Sequence, residues 1–408
     1  MNCVNNRANH ILVFFLIYLI ALLQRLMQFV QHDFQRSDMY SNWLINYRGG
    51  FIRRGLGGSI ILQLSSVFDI SATRLTNVIC AAAWIFIIVF FTVKFVRQKY
   101  PIFILALPFF IGETILIDPS CFLRKDSFCL MIFIIMLSLF FNHKSNSALF
   151  FLTINLLFVF GILVHEVIFF FSFPILFLSY HKKYGSLIKT LLFFVPSIAA
   201  FVCCELISSD ETTREMLRLT PQIKFDYVGF LFTPFLKSFR ILWNQINAPH
   251  LLFTLFYFLL WISSVYFVSV NFDKIKINLS KTPETNLAFL SSILIFQFLS
   301  ISPLFCCTWD WGRWMFLWVG SSFAYFLTAD GNPFNRKIFD KLDFSRLSFF
   351  QKISQKPWLV FTVAILINCQ YMLPLEKNFF IHTPAFEFLN VISAVIYLLK
   401  DMVVQSVS

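Results

Sequence analysis

ALFFLTINLLFVFGIL (residues 148–163) and VIFFFSFPILFLSY (167–180) are two apolar runs without a single charge, and the only ionisable residues between them are His165 and Glu166. Runs of this kind bury no polar face in water and read as helices crossing the roughly 30 Å hydrocarbon layer of a bilayer. Apolar runs of similar length, some holding one or two charges, recur at 11–30, 75–96, 102–117, 128–141, 187–207, 250–270, 287–303, 314–329, 359–373 and 386–399. Only short polar stretches separate these runs, so no segment is left for a sizeable soluble domain. The expected architecture is an all-α polytopic transmembrane helical bundle of about ten to twelve spans, with residues 1–408 forming one integral membrane domain.

Composition agrees. With 58% hydrophobic and only 13% charged residues, the chain has far too little polar surface to coat a water-soluble fold. The run at 11–30 follows a short head carrying Arg7 and is too long for the apolar core of a secretory signal. No small-residue cleavage site follows it, so a retained first helix is expected.

Orientation follows from Lys and Arg, which short cytoplasmic loops retain. With the N-terminus inside, the loops holding Lys94, Arg97 and Lys99, then His143 and Lys144, then Lys182, Lys183 and Lys189, and the stretches 274–281 and 336–356 all fall on the cytoplasmic side. Much of the formal charge of +12 is therefore topological and calls for no nucleic acid. The nine cysteines are scattered, and the adjacent pairs Cys203-Cys204 and Cys306-Cys307 lack metal-ligand spacing. They read as packing residues, and neither a metal nor a cofactor is expected.

The first outer loop breaks the charge rule. Residues 32–58 contain His32-Asp-Phe-Gln-Arg-Ser-Asp38 and Tyr47-Arg-Gly-Gly-Phe-Ile-Arg-Arg-Gly-Leu-Gly-Gly58, which places Arg36, Arg48, Arg53 and Arg54 on the side that should be poor in them. Arginines beside paired glycines suit a phosphate or pyrophosphate; snorkelling to lipid headgroups is the alternative. The same topology brings Arg124-Lys125-Asp126, His165-Glu166 and Asp310-Trp-Gly-Arg313 to this face. Taken singly, Asp126 can pair with Arg124, Glu166 can cap a helix, and Asp310 can pair with Arg313. Taken together, ionisable groups from distant parts of the chain gathering at one membrane border predict one polar pocket. A second outer segment, 208–247, is expected to hold a short helix in the interface plane that serves as a lid or acceptor-binding wall.

Carboxylates and guanidinium groups at an outer membrane border suit transfer of a group from a lipid phosphate to an acceptor hydroxyl, with a carboxylate as general base and arginines meeting the charge on the leaving phosphate. A first helix, an external loop with Asp33 and Asp38, and a stretch over 56–68 able to lie along the membrane resemble the opening of GT-C membrane glycosyltransferases. The run from Tyr47 to Leu56, with the later Arg124, His165 and Asp310 elements, is similar to multispanning proteins of bacterial surface-polysaccharide pathways, including O-antigen polymerases and phage-type O-antigen glucosyltransferases. This resemblance implies a polyprenyl-phosphate-linked sugar as donor, a polysaccharide acceptor, and a site on the periplasmic side of the bacterial inner membrane. It also implies a base in the first external loop, with Asp38 the first candidate and Asp33 the second; Glu166, at the junction of the fifth and sixth runs, is the third. Arg48, Arg53, Arg54, Arg124 and Lys125 are the candidate phosphate ligands; His165, Asp310 and Arg313 are candidates for holding substrate. The chain departs from some GT-C members in lacking an adjacent Asp-Asp pair and a large soluble C-terminal domain. Three further readings are an O-antigen repeat-unit polymerase, a lipid-linked oligosaccharide transporter and a membrane O-acyltransferase with His165 as base. A transporter should carry midplane charges and an internal repeat, neither of which is found, and an acyl thioester donor belongs on the cytoplasmic side.

Overall fold

The computed structural model describes residues 38–98, 122–142, 147–207, 209–223, 228, 231, 285–306 and 311–329. Among the described residues all regular structure is helical. The elements are α1 (Asp38–Trp43), α2 (Gly55–Phe68), α3 (Ala72–Arg97), α4 (Lys125–Asn142), α5 (Ala148–Val164), α6 (Val167–Tyr184), α7 (Leu187–Leu206), α8 (Asp210–Leu219), α9 (Thr285–Phe305) and α10 (Trp311–Ala329). Seven of the twelve apolar runs thus become helices α3–α7, α9 and α10, while the runs at 11–30, 102–117, 250–270, 359–373 and 386–399 lie outside the described residues. Helices α3, α4 and α7 are each long and apolar enough to cross a membrane.

Burial sorts these helices into a centre and a rim. Helix α4 is apolar on every side and packs against α3, α5, α6 and α10, so it has no face to give to solvent. Helices α3, α5 and α7 instead point bare aliphatic stripes outward. These are Val78, Ile85, Val89, Val93 and Val96; then Leu149, Leu152 and Leu156; then Ile188, Leu192, Val195, Val202 and Leu206. Steps of three, four and seven put each set on one helix face. Apolar stripes of that extent face lipid rather than water.

Lipid-exposed helices gain little from the hydrophobic effect against one another, so their contacts rely on close packing and interhelical hydrogen bonds. Both are present. Gly320 on α10 lets Leu130 of α4 approach so closely that a Cβ there would lie 2.9 Å from its methyl. Gln297 Nε2 donates to the Phe171 carbonyl at 2.9 Å and to Ser321 Oγ at 3.1 Å, tying α9 to α6 and α10. Asn155 Nδ2 donates to the Phe193 carbonyl at 2.9 Å while its Oδ1 accepts from Ser197 at 3.0 Å, joining α5 to α7.

The two ends of the bundle differ. At one end Gln98, which caps α3, donates to Leu327 near the end of α10 (3.2 Å), and Lys183 lies over the Phe140 ring near the end of α4 (5.3 Å). Lys94, Arg97, Lys182, Lys183 and Lys189 collect at this end. The opposite end is covered by α1, α2 and α8. At about 21 Å long, α2 is shorter than the hydrocarbon layer. Its start rests on the end of α5, where Gly57 meets Val164. The first loop is seated here by glycine: Gly49 lies flush on the backbone of α8 at Thr212 and Met216, and Gly58 on the backbone of Leu44 and Ile45. Helix α8, opened by a Ser209–Thr212 capping box, is a short amphipathic helix within 208–247, and it docks through Thr213 and Met216. Residues 232–247 of that segment lie outside the described residues.

The glycines make a paired prediction. A Cβ at Gly58 would fall 2.1 Å from the Ile45 carbonyl oxygen, whereas one at Gly57 would make ordinary contact at 3.6 Å. Gly58→Ala is expected to cost about 1–3 kcal/mol and to lower the melting temperature in detergent by several degrees, with Gly57→Ala neutral or slightly stabilising. Equal melting temperatures for the two variants would contradict this packing.

Candidate functional site

Four separate segments meet under the α1–α2 cover: the loop at residues 53–54, the start of α4, the turn between α5 and α6, and the start of α10. Arg54 grips Glu166, its Nε donating to Oε1 at 2.9 Å and Oε2 at 2.8 Å, with Nη2 also on Oε1. Arg54 is the residue before α2 and holds left-handed backbone angles (φ 64°), a conformation that costs a non-glycine residue about 1–3 kcal/mol. The ion pair and a bond from Lys125 Nζ to the Arg54 carbonyl (3.3 Å) keep it there.

A second pair crosses from α10 to α4. Arg313 donates through Nε to Asp126 Oδ2 at 2.7 Å and through Nη2 to Oδ1 at 2.9 Å, a two-pronged contact with both residues buried. His165 joins the two pairs. Its Nε2 is 3.1 Å from Arg313 Nη2, which can only donate, so Nε2 accepts; the ring proton then sits on Nδ1, 3.4 Å from Glu166 Oε2. The Val167 N–H also approaches Nδ1, but only at 3.5 Å. The result is one chain of contacts, Asp126–Arg313–His165–Glu166–Arg54, with a neutral imidazole at its middle.

Electrostatics in the α5–α6 turn agree with that protonation. Burial, and then the Arg54 charge, push His165 down from 6.5 to about 4. Burial alone would raise Glu166, but the Arg54 guanidinium and the His165 hydrogen bond outweigh it and hold this carboxyl well below its usual range.

Lys125 is different. Only 3% exposed, its ammonium donates a hydrogen bond to the Arg54 carbonyl and lies 5.4 Å from the Trp43 ring, and among the described residues no carboxylate is in ion-pair contact with it. It borders a cavity of about 10 Å³, room for about one water, lined by Met39, Asn42, Trp43, Leu123, Arg124, Lys125, His165 and Arg313. Asn42 Oδ1 on that wall is buried without a hydrogen-bond partner. Among the described side chains here, Arg53, Arg54, Arg124, Lys125 and Arg313 outnumber the carboxylates Asp126, Glu166 and Glu205.

Compared with the sequence expectations, Arg53, Arg54, Arg124, Lys125, His165, Glu166 and Arg313 are brought together. Arg48 is not: it lies on the surface, reaching the Leu219 carbonyl at 3.5 Å. Asp38 is placed only by its backbone, as the first residue of α1 and one helical turn before Asn42. Asp33 and Asp310 lie outside the described residues. The pairings differ from the local ones anticipated. Asp126 takes Arg313 in its two-pronged contact instead of its neighbour Arg124, and Glu166, although it precedes α6, makes no side-chain cap. Three participants escaped the sequence reading. Trp43 and Asn42 carry no charge to mark them, whereas Glu205, 4.0 Å from Arg53, was visible as a lone carboxylate in an apolar run.

No family model, curated protein or solved structure matches the chain. The site's own chemistry is therefore the guide. Among the described residues no group of three His, Cys, Asp or Glu comes together to hold a metal ion. What the arrangement offers is two immobilised carboxylates, a neutral histidine, and a buried cationic wall able to receive an anionic oxygen.

Because the folded pKa of His165 lies below its ordinary value, its contribution to stability is complete above about pH 6.5 and is lost as the pH falls toward 4; that of Glu166 is lost lower still. The melting temperature of the purified protein is expected to drop across this interval, and His165→Gln should flatten the drop. An equal slope in the variant would contradict the neutral, buried imidazole.

Proposed function

We propose that this chain is a membrane glycosyltransferase that moves a sugar from a polyprenyl-phosphate-linked donor to a polysaccharide acceptor at the periplasmic face of a bacterial inner membrane. The observation that carries the reading is Lys125: a buried ammonium with no carboxylate among the described residues in ion-pair contact, beside arginines, at the bundle end opposite the one where Lys94, Arg97, Lys182, Lys183 and Lys189 collect. Burying such a charge is costly unless an anion meets it. The alternation of Lys- and Arg-bearing loops along the whole sequence takes the Lys94, Arg97 and Lys182 end as cytoplasmic, so the Lys125 end faces out. No nucleotide reaches that compartment, and a lipid-linked phosphate is the activated donor that does.

In this reading one phosphoryl oxygen enters the small cavity against Lys125 and Arg124, with Arg53 close by. Asp38 takes the proton of the acceptor hydroxyl. The acceptor oxygen bonds to the anomeric carbon as the bond from that carbon to the phosphate oxygen breaks, and the polyprenyl phosphate leaves with the electron pair, its growing charge met by the cations. Glu166 is a poor base because Arg54 occupies its oxygens and lowers its basicity. It and Asp126 are positioning residues that fix Arg54 and Arg313.

Mass spectrometry of surface polysaccharide from cells with the gene, without it, and with single variants tests the reading. Loss of the gene is expected to remove a branch sugar or shorten the chains. Asp38→Asn, inserted at normal level, should lower the rate by about 10²–10⁴-fold, and Lys125→Met should also abolish the modification. Polysaccharide unchanged by loss of the gene would overturn the proposal.

A further inference from the structure

A second cavity, sharing no residue with the first, lies outside the ion-pair network. Its volume is about 400 Å³ and it is lined by Asn46, Tyr47, Arg48, Ser59, Leu62, Gln63, Ser66 and Val67. Ser59, Leu62, Gln63 and Ser66 are spaced by three, four and seven residues, so a single face of α2 forms one wall. Among the described residues the lining holds one cation and no carboxylate. Arg48 is exposed, and its single bond to the Leu219 carbonyl leaves most of its guanidinium N–H groups unused. Across from it Gln63 and Ser66 are exposed on α2. Tyr47 is held firm between Phe51, stacked at 5.6 Å, and Gly55, and its hydroxyl is buried without a hydrogen-bond partner.

The rim at the end of α2 is apolar and bare: Val67 is 68% and Phe68 62% exposed, with Ile70 beyond them. A donor-rich hollow with one guanidinium, opening onto exposed aliphatic and aromatic surface, matches a particular ligand shape. It is an anionic head joined to a hydrocarbon chain, the head on Arg48, Gln63 and Ser66 and the chain over Val67 and Phe68. A free anion would leave the rim uncovered, and a neutral hydrocarbon would leave the Arg48 fork unused.

We infer that the groove between the Asn46–Arg48 loop and α2 binds the phosphate ester of a lipid, at a site separate from the Lys125 cavity. The lipid is either a bilayer phospholipid or a second polyprenyl-phosphate-linked chain. The latter source would make both substrates of the proposed transfer lipid-linked, as chain polymerisation requires.

Native mass spectrometry of the full chain in detergent tests this, with four probes titrated separately: a polyprenyl phosphate, the corresponding polyprenol, phosphatidylglycerol and inorganic phosphate. Lys125→Met serves as background so that only the groove is read. Binding of at least one phosphate-bearing lipid is expected, with the polyprenol and inorganic phosphate each weaker by about tenfold or more. Arg48→Ala should cut lipid retention to a similar extent at unchanged melting temperature, Arg48→Lys less, and Gln63→Leu with Ser66→Ala should reproduce the loss without touching the cation. Preference for polyprenyl phosphate over phosphatidylglycerol identifies a lipid-linked substrate; the reverse identifies a bilayer phospholipid. Retention unaffected by Arg48→Ala, or polyprenol bound as tightly as its phosphate, would overturn the inference whether or not the chain transfers sugars.

Discussion

Two arginine–carboxylate pairs, Arg54–Glu166 and Arg313–Asp126, hold this end of the bundle in register. Each joins segments more than a hundred residues apart; the Arg313–Asp126 pair is buried, so removing one partner strands the other's charge at a cost of about 3–5 kcal/mol, and the Arg54–Glu166 pair is part-buried. Apolar helices in a bilayer can slide and rotate past one another with little penalty, since lipid is as good a neighbour as another leucine. The charges remove that freedom. Once Arg313 meets Asp126, α10 has its height against α4, and once Arg54 meets Glu166 the loop before α2 is fastened over the α5–α6 turn.

The rest of the site follows from that fastening. His165 can be neutral because its two nitrogens find a donor on one side and a carboxylate on the other. Arg54 tolerates a left-handed backbone because its side chain and carbonyl are both held. Glycines at 49 and 58 let the loop settle directly onto neighbouring backbone, so the segment that reads as an anion cradle also serves as a close-packed hinge between α1, α2 and α8. Lys125 is left as a buried cation that no carboxylate among the described residues contacts, and the functional proposal turns on it.

Much of this was legible in the sequence. Long apolar runs mark helices because composition and length are local properties, and seven of the described helices fall where those runs predict. Gathering of polar groups at one face could be anticipated from alternation alone, since each successive span reverses direction. The partners could not. Nearby charges such as Arg124 and Asp126 look like a pair along the chain, yet Arg124 precedes α4 while Asp126 lies in its first turn and reaches Arg313 across the bundle. Uncharged contributors such as Asn42 and Trp43 carry no sequence signal at all. Separation of Arg48 from the other arginines likewise depends on where α2 turns, which the run of glycines and arginines does not reveal.

The most direct measurement is a double-mutant cycle on Asp126 and Arg313, following the melting temperature of the purified protein and the amount inserted in membranes. Asp126→Leu and Arg313→Met should each be strongly destabilising. The double variant should recover most of the loss, because a buried pair exchanged for apolar side chains of similar volume leaves no stranded charge. Additive losses, with the double variant as unstable as the sum of the singles, would contradict a pair that sets the register of the bundle.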